Sequence, residues 1–229
     1  MTRRKGAPGR PWLAEHGPDP RGRCAGCWLR PHLCVCQVAP RHESAVRLVV
    51  VRHFSEARKS ANSARLLPLV IANTEFREYG IQDAPFSPEG LDAPGTFLLF
   101  PPVEGAAPTD ADMALVPGLV RTLVVPDGTW AQSRRIVRRA PGLRSLPRLS
   151  FPERLAVGPR VLTPPAPWAV STLEAVGFAF GALGRADIEA SLLSLYTAFA
   201  IRSLRERNRW VEGAPADDDA STDDGVDLH

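Results

Sequence analysis

The sequence predicts an α/β fold with a mainly parallel sheet flanked by helices. Short apolar runs alternate along the chain with segments of helical periodicity, and the first run covers residues 46–51. Residues 96–100 and 121–125 are two further runs, and the first of them is stopped by Pro101-Pro102. Strands that alternate with helices in this way are typical of parallel sheets.

The other elements follow in chain order. Residues 60–74 fit a helix with Leu66, Leu67 and Val70 on one face. A short helix is predicted at 131–139 and a short strand at 160–163. Helices are also predicted from about 171 to 183 and from about 187 to 209.

Composition divides the 229 residues into four parts. Residues 1–22 are predicted to be a disordered basic tail rich in Pro and Gly, and 23–42 hold all four cysteines. Residues 43–211 are predicted to form the α/β domain, and 212–229 a disordered acidic tail. Residues 1–60 carry 12 basic and 4 acidic side chains, whereas 212–229 carry 7 acidic side chains and no Lys or Arg.

Several classes of protein are disfavoured by what the sequence lacks. No apolar run approaches the roughly 18–20 residues that span a bilayer, and the N-terminus lacks the apolar segment of a secretory signal. We therefore expect a cytoplasmic protein without membrane contact; a monomer is compatible with the sequence. Nucleotide-binding, hydrolase and zinc-protease motifs (GxxxxGK[ST], GxGxxG, GxSxG, HExxH) are also missing.

The four cysteines predict a structural zinc site. They are confined to 13 residues in a C-x2-C-x6-C-x-C array of Cys24, Cys27, Cys34 and Cys36. Four thiolates this close together can surround one tetrahedral zinc ion. Free thiols and disulfides are the alternatives, and a reducing compartment disfavours disulfides.

The most informative segment is the turn after the strand at 121–125. Its residues Pro126, Asp127, Gly128, Thr129 and Trp130 combine a carboxylate, a glycine, a hydroxyl and an indole. Ligands of open α/β sheets bind at the carboxyl ends of strands. The predicted strands at 96–100 and 160–163 also end in distinctive loops, and together the three loops can form one pocket. An ordinary turn with a core Trp is the alternative.

Two polar segments suggest a surface that binds anions. The first follows the first strand and contains His53, Arg58, Asn62 and Arg65, of which the last three would share one face of a helix. The second is the stretch 131–160, with eight Arg and one acidic residue; it includes Arg134, Arg135 and Arg138. A solvated, ion-paired face is the alternative for both segments. Arginine side chains bind phosphate groups well, so both segments are candidates for contact with RNA.

The segment Ser171-Thr172-Leu173-Glu174 has the form of a capping box that opens a helix. The free N–H groups of such a helix start can also receive an anion.

Taken in order, these pieces resemble the DTW-domain family, the tRNA-uridine aminocarboxypropyltransferases. The matching pieces are the cysteine array, the segment HFSEARKSANSARLL, the turn DGTW and the segment STLEA. The chain has Asn62-Ser63 where Asn-Thr is expected. The resemblance covers roughly residues 23–205 and implies a SPOUT-like domain with a C-terminal trefoil knot.

The resemblance implies transfer of the 3-amino-3-carboxypropyl (acp) group of S-adenosylmethionine (SAM) to N3 of a tRNA uridine. Asp127 would be the general base for N3–H. SAM would lie among the strand-end loops and the helix start. The residues expected to hold it are Phe100, Pro101, Pro126, Gly128, Thr129, Trp130, Thr163, Ser171, Thr172 and Glu174. The residues expected to contact tRNA are His53, Arg58, Asn62, Arg65, Arg134, Arg135 and Arg138.

Two other functions stay open at this point. A SAM-dependent RNA methyltransferase would use the same pocket, with SAM oriented so that its methyl group meets the RNA. An RNA-binding protein with a zinc knuckle would use the arginines and cysteines without catalysis.

Overall fold

The computed structural model describes residues 22–101, 118–149, 158–163 and 169–207. Five strands form one sheet in the order β2-β1-β4-β3-β5, and every pair is parallel. The strands are β1 Arg47–His53, β2 Thr74–Tyr79, β3 Thr96–Leu99, β4 Thr122–Asp127 and β5 Arg148–Leu149. The predicted α/β class and parallel sheet are confirmed.

Among the described residues, four helices accompany the sheet: α1 Leu67–Val70, α2 Trp130–Arg139, α3 Thr172–Ala182 and α4 Ala186–Glu206. Short 3-10 turns lie at Pro31–Leu33, Phe54–Glu56, Ala64–Leu66 and Leu143–Ser145. The predicted helices at 131–139, 171–183 and 187–209 coincide with α2, α3 and α4, apart from residues 208–209, which lie outside the described part.

The sheet is covered on both faces, as parallel sheets usually are. Successive side chains of a strand point to opposite faces. Accordingly Leu48 and Val50 of β1 lie in a core with α1, α3, α4 and the cysteine segment, whereas Val49 and Val51 pack with α2 on the other face.

The prediction of one helix over 60–74 is wrong. Residues 60–61 form a turn, residues 62–63 have no regular structure, α1 has only four residues, and 74 begins β2. Pro68 lies in the first turn of α1 and has no N–H to donate to a preceding helical turn. Arg58, Asn62 and Arg65 therefore do not share a helix face.

The prediction of a strand at 160–163 is also wrong, because these residues form bends without strand pairing. Arg160 instead turns inward and bonds to the carbonyl oxygen of Ala169. The fifth strand is Arg148–Leu149, which pairs with β3. The predicted basic tail, apart from Gly22, and the predicted acidic tail lie outside the described residues.

Gly95 fixes the entry to β3, and we predict that Gly95→Ala is strongly destabilising. Its φ is +84°, and a Cβ would lie 2.7 Å from the backbone oxygen of Leu119. Gly90 is the matched control, since its φ is +70° but a Cβ would meet nothing within 4 Å. Chemical denaturation should show a loss of about 1–2 kcal/mol for Gly90→Ala and a further ~1–3 kcal/mol for Gly95→Ala. Equal losses of unfolding free energy in the two variants would contradict the close approach of Gly95 to the backbone oxygen of Leu119.

Candidate active site

A cavity of about 940 Å³ opens at the carboxyl ends of β1, β3 and β4. It is bounded by the turns after these strands, by residues 160–163 and by the start of α3. Most ligand pockets have volumes of about 300–1,000 Å³. The carboxyl edge of a parallel sheet is also where such pockets are expected.

Asp127, the last residue of β4, lies at the cavity and is only 2% exposed. Thr172 donates its hydroxyl to Oδ1 and Asn62 donates its amide Nδ2 to Oδ2, both at 2.7 Å. Burial raises the pKa of Asp127, although these two hydrogen bonds and the nearby charge of Arg52 act against the rise. The carboxylate is therefore a better proton acceptor than an exposed Asp, and its position is fixed from two sides.

The orientation of the Asn62 amide is set by the backbone. Its Oδ1 accepts the N–H of Arg65 at 3.2 Å, so its NH2 group faces Asp127. Asn62 is 7% exposed and lines the cavity. It was predicted to contact RNA, but the structure places it beside the carboxylate.

Arg65 lies inside the protein and not on a surface for RNA. It is 2% exposed, and its guanidinium donates to the carbonyl oxygens of Ala57, Lys59 and Asn62. The guanidinium also lies over the Trp28 ring, 4.3 Å from its centroid. Burial lowers the pKa of Arg65 to about 10, so the group stays charged at neutral pH. Its role here is to hold the turn that carries Asn62.

The turn after β4 is held by a capping box. The Thr129 hydroxyl accepts the N–H of Gln132, and Gln132 Oε1 accepts the N–H of Thr129 at 2.7 Å. A Cβ on Gly128 would lie 2.9 Å from Gln132 Cβ, so only glycine fits there without a shift. Gln132 Nε2 reaches the Ser55 hydroxyl at 3.1 Å and thereby joins this turn to the one after β1.

Aromatic and apolar side chains form one wall of the cavity. The Trp130 and Phe100 rings are 6.3 Å apart between centroids. Arg148 lies over the Phe100 ring and donates to the carbonyl oxygen of Pro101. Leu99 and other apolar residues continue the wall; they are Val125, Leu149 and Val161.

The capping box at the start of α3 is confirmed. The Ser171 hydroxyl accepts the N–H of Glu174, and Glu174 Oε2 accepts the N–H of Ser171 at 2.8 Å. Glu174 is fully buried and pairs with Arg160 at 2.9 Å. Glu174 therefore does not line the cavity but holds Arg160, which does. Ser171, Thr172 and the helix N-terminus face the cavity directly.

The other predicted site residues fall into two groups. Those that line the cavity are Phe100, Pro101, Pro126, Gly128, Thr129, Trp130, Thr163 and Arg134. Those that lie outside the lining are His53, which is half-buried, and the exposed Arg58, Arg135 and Arg138. The exposed arginines of α2 thus adjoin the mouth of the cavity through Arg134.

Tyr196 and Arg52 are among the residues at the site that the sequence did not predict. Tyr196 of α4 lines the cavity, yet its helical spacing is that of an ordinary core residue. Arg52 of β1 stands beside Asp127 in the sheet register and is 1% exposed. The position of Arg52 inside an apolar strand could have indicated its role. A buried arginine needs a partner of opposite charge, and here that partner is Glu78.

The four cysteines form a cluster that fits one zinc ion. Their Sγ atoms all lie within 4.8 Å of one another. Cys24 Sγ is 3.6 Å from Cys36 Sγ and 3.4 Å from Cys34 Sγ. Zn–S bonds of about 2.3 Å in a tetrahedron require S···S separations of about 3.8 Å. The cluster docks on α4, where Arg202 donates to the carbonyl oxygen of Cys34.

In the part of the chain that the structure describes, no helix has the length and apolarity needed to cross a membrane.

A parallel sheet with a ligand-sized cavity at its carboxyl edge is typical of α/β proteins that bind a small ligand. Similarity to known proteins identifies the family. The model of the DTW domain matches residues 21–204, so the chain belongs to the DTW-domain family. The chain is 28% identical over 173 residues to tRNA-uridine aminocarboxypropyltransferase 2 of Drosophila melanogaster. That alignment covers 71% of this chain and 66% of the relative, just under two thirds of its length. No solved structure matches the chain.

We predict that the protein purified without added metal contains about one zinc ion per chain. Cys27→Ser should lower this content and the melting temperature together, because the buried Cys27 thiolate would be both ligand and core. Val38→Ala, at an exposed position of the same segment, is the control and should change neither. Elemental analysis and thermal unfolding measure both quantities. Metal-free protein with an unchanged melting temperature would contradict the assignment.

Proposed function

We propose that the protein transfers the acp group of SAM to N3 of a tRNA uridine, forming acp3U and releasing 5′-methylthioadenosine. The observation that carries this proposal is the buried Asp127, held by Asn62 and Thr172 at a cavity large enough for SAM. Membership of the DTW-domain family and the name of the Drosophila relative support it.

The cavity has suitable partners for each part of SAM. Phe100, Trp130 and Leu99 offer an apolar wall for the adenine. The N-terminus of α3 offers the backbone N–H of Thr172, its first residue, and the Ser171 hydroxyl beside it for the carboxylate. Thr163 and the backbone near Pro101 and Thr129 complete the set that we assign to SAM.

The reaction needs orientation and one proton acceptor. The sulfonium of SAM activates its attached carbons, so the pocket decides which carbon meets the nucleophile. The bond from sulfur to the acp carbon breaks as the bond from uridine N3 to that carbon forms. The N3 proton passes to Asp127, whose raised pKa favours proton acceptance.

The tRNA is proposed to approach over the exposed arginines of α2. Arg134, Arg135 and Arg138 are exposed, and Arg134 also lines the cavity. Arg58 lies on the turn after β1, on the surface beside the cavity-lining Lys59. Phosphate contacts of this kind position the RNA but do not read its sequence.

We further propose that the domain is SPOUT-like with a C-terminal trefoil knot and that the protein is cytoplasmic. The proposal of a SPOUT-like arrangement rests on membership of the DTW-domain family, whose model matches residues 21–204. An experimental structure that traces the chain continuously from 149 to 172 tests the knot.

Nucleoside mass spectrometry tests the function. Purified protein incubated with SAM and unmodified tRNA should yield a uridine carrying one acp group and an equal amount of 5′-methylthioadenosine. A single added methyl group would favour the methyltransferase, and no product with intact RNA binding would favour the non-catalytic protein; either result overturns the proposal. Asp127→Asn is the control, since loss of a general base slows transfer by about 10²–10⁴.

A further inference from the structure

Phe54 is an exposed aromatic residue in a protein that buries most of its large apolar side chains. Within the described residues four large hydrophobic side chains are exposed, and Phe54, at 49%, is the aromatic one. The others are Val38, Ile81 and Leu162.

The Phe54 ring is held in place by its neighbours. Its centroid is 4.9 Å from that of the His53 imidazole, with 32° between the ring planes. Its Cδ1 atom lies 3.2 Å from where a Cβ of Gly80 would be, so the ring rests on the glycine backbone. A ring fixed along its edges loses little side-chain entropy when a flat ligand covers its open part.

The ring lies beside the mouth of the cavity. His53 ends β1, and its Cβ lies 3.5 Å from where a Cβ of Gly128 would be. Gln132 Nε2, from the first turn of α2, lies 3.3 Å from His53 Nδ1. Glu56 and Lys59, from the same turn as Phe54, line the cavity.

The surroundings of the ring are basic. Arg58 and Arg135 are exposed, and the Lys59 side chain is 48% exposed. Burial of the His53 imidazole lowers its pKa; the charges of Glu56 and Glu78 act against this shift, and those of Arg135 and Lys59 add to it. His53 is therefore neutral at neutral pH. An uncharged ring can stack on the flat base of a nucleotide, and the cations beside it can bind the adjoining phosphate.

We propose that Phe54 and His53 form a stacking platform for a single-stranded tRNA base that flanks the modified uridine, while Arg58 and Arg135 meet the adjoining phosphates. This inference rests on the proposed tRNA substrate. Stacking accepts any base, because every base has a π face, so the platform holds the strand without fixing its sequence.

Affinity of the full chain for tRNA and for a single-stranded oligoribonucleotide, measured without SAM, tests the platform. Phe54→Ala should weaken both by about 5- to 150-fold and leave the salt dependence unchanged, whereas Phe54→Trp should retain binding. Arg58→Ala should lower the slope of log affinity against log salt by about 1. Val38→Ala is the control for loss of an exposed apolar side chain and should bind as wild type.

Unchanged affinity in Phe54→Ala would overturn the platform. A change of oligomeric state in Phe54→Ala, seen by light scattering, would overturn it as well, because the ring would then face a second copy of the chain. The outcome is independent of the transfer reaction. If the protein binds RNA through Phe54 but forms no acp-uridine, the proposed function is contradicted and the proposed platform stands.

Discussion

The arrangement of the site depends on one buried carboxylate. Asp127 accepts hydrogen bonds from Thr172 at the start of α3 and from Asn62 on the turn after β1. Two segments far apart in the sequence are thereby fixed to the end of β4. A buried carboxylate without partners would cost several kcal/mol, so the same two bonds that stabilise the fold also shape the cavity. The carboxylate oxygens of Asp127 thus stabilise the fold and are also the proposed proton acceptor.

A chain of contacts links this carboxylate to the cysteine cluster. Asn62 is oriented by the backbone of Arg65, and the Arg65 guanidinium lies over the ring of Trp28. Trp28 follows Cys27 directly and has a φ of +60°, an unusual conformation for a residue with a side chain. A zinc ion on the four cysteines would stabilise this turn. The described part of the N-terminal segment therefore contacts the residues that hold Asn62, although it does not line the cavity.

Local patterns in the sequence predicted much of this arrangement, and long-range contacts limited the rest. The capping box at Ser171 and the parallel sheet follow from local spacing and from the alternation of strands with helices, whereas the capping box at Thr129 was not predicted. Strand β2 escaped prediction because it is the half-buried edge of the sheet and three of its six residues, Glu75, Arg77 and Glu78, are charged. The burial of Arg65 could not be predicted, since carbonyl groups brought together by folding satisfy its guanidinium. Asn62 was placed on the RNA face for the same reason, because its partner Asp127 is 65 residues away.

In the proposed reaction the charge on Asp127, and not only its hydrogen bonds, is needed to accept the N3 proton. Exchange of the two side chains, Asn62→Asp with Asp127→Asn, tests this directly. In the exchanged protein Thr172 still donates to Oδ1 at 127, one amide still faces one carboxylate, and Arg65 N–H still has an acceptor. We expect a free energy of unfolding within about 1 kcal/mol of wild type and single-turnover transfer at saturating SAM and tRNA at least ~10²-fold slower. Transfer at the wild-type rate would contradict the claim and leave Asp127 a purely structural residue.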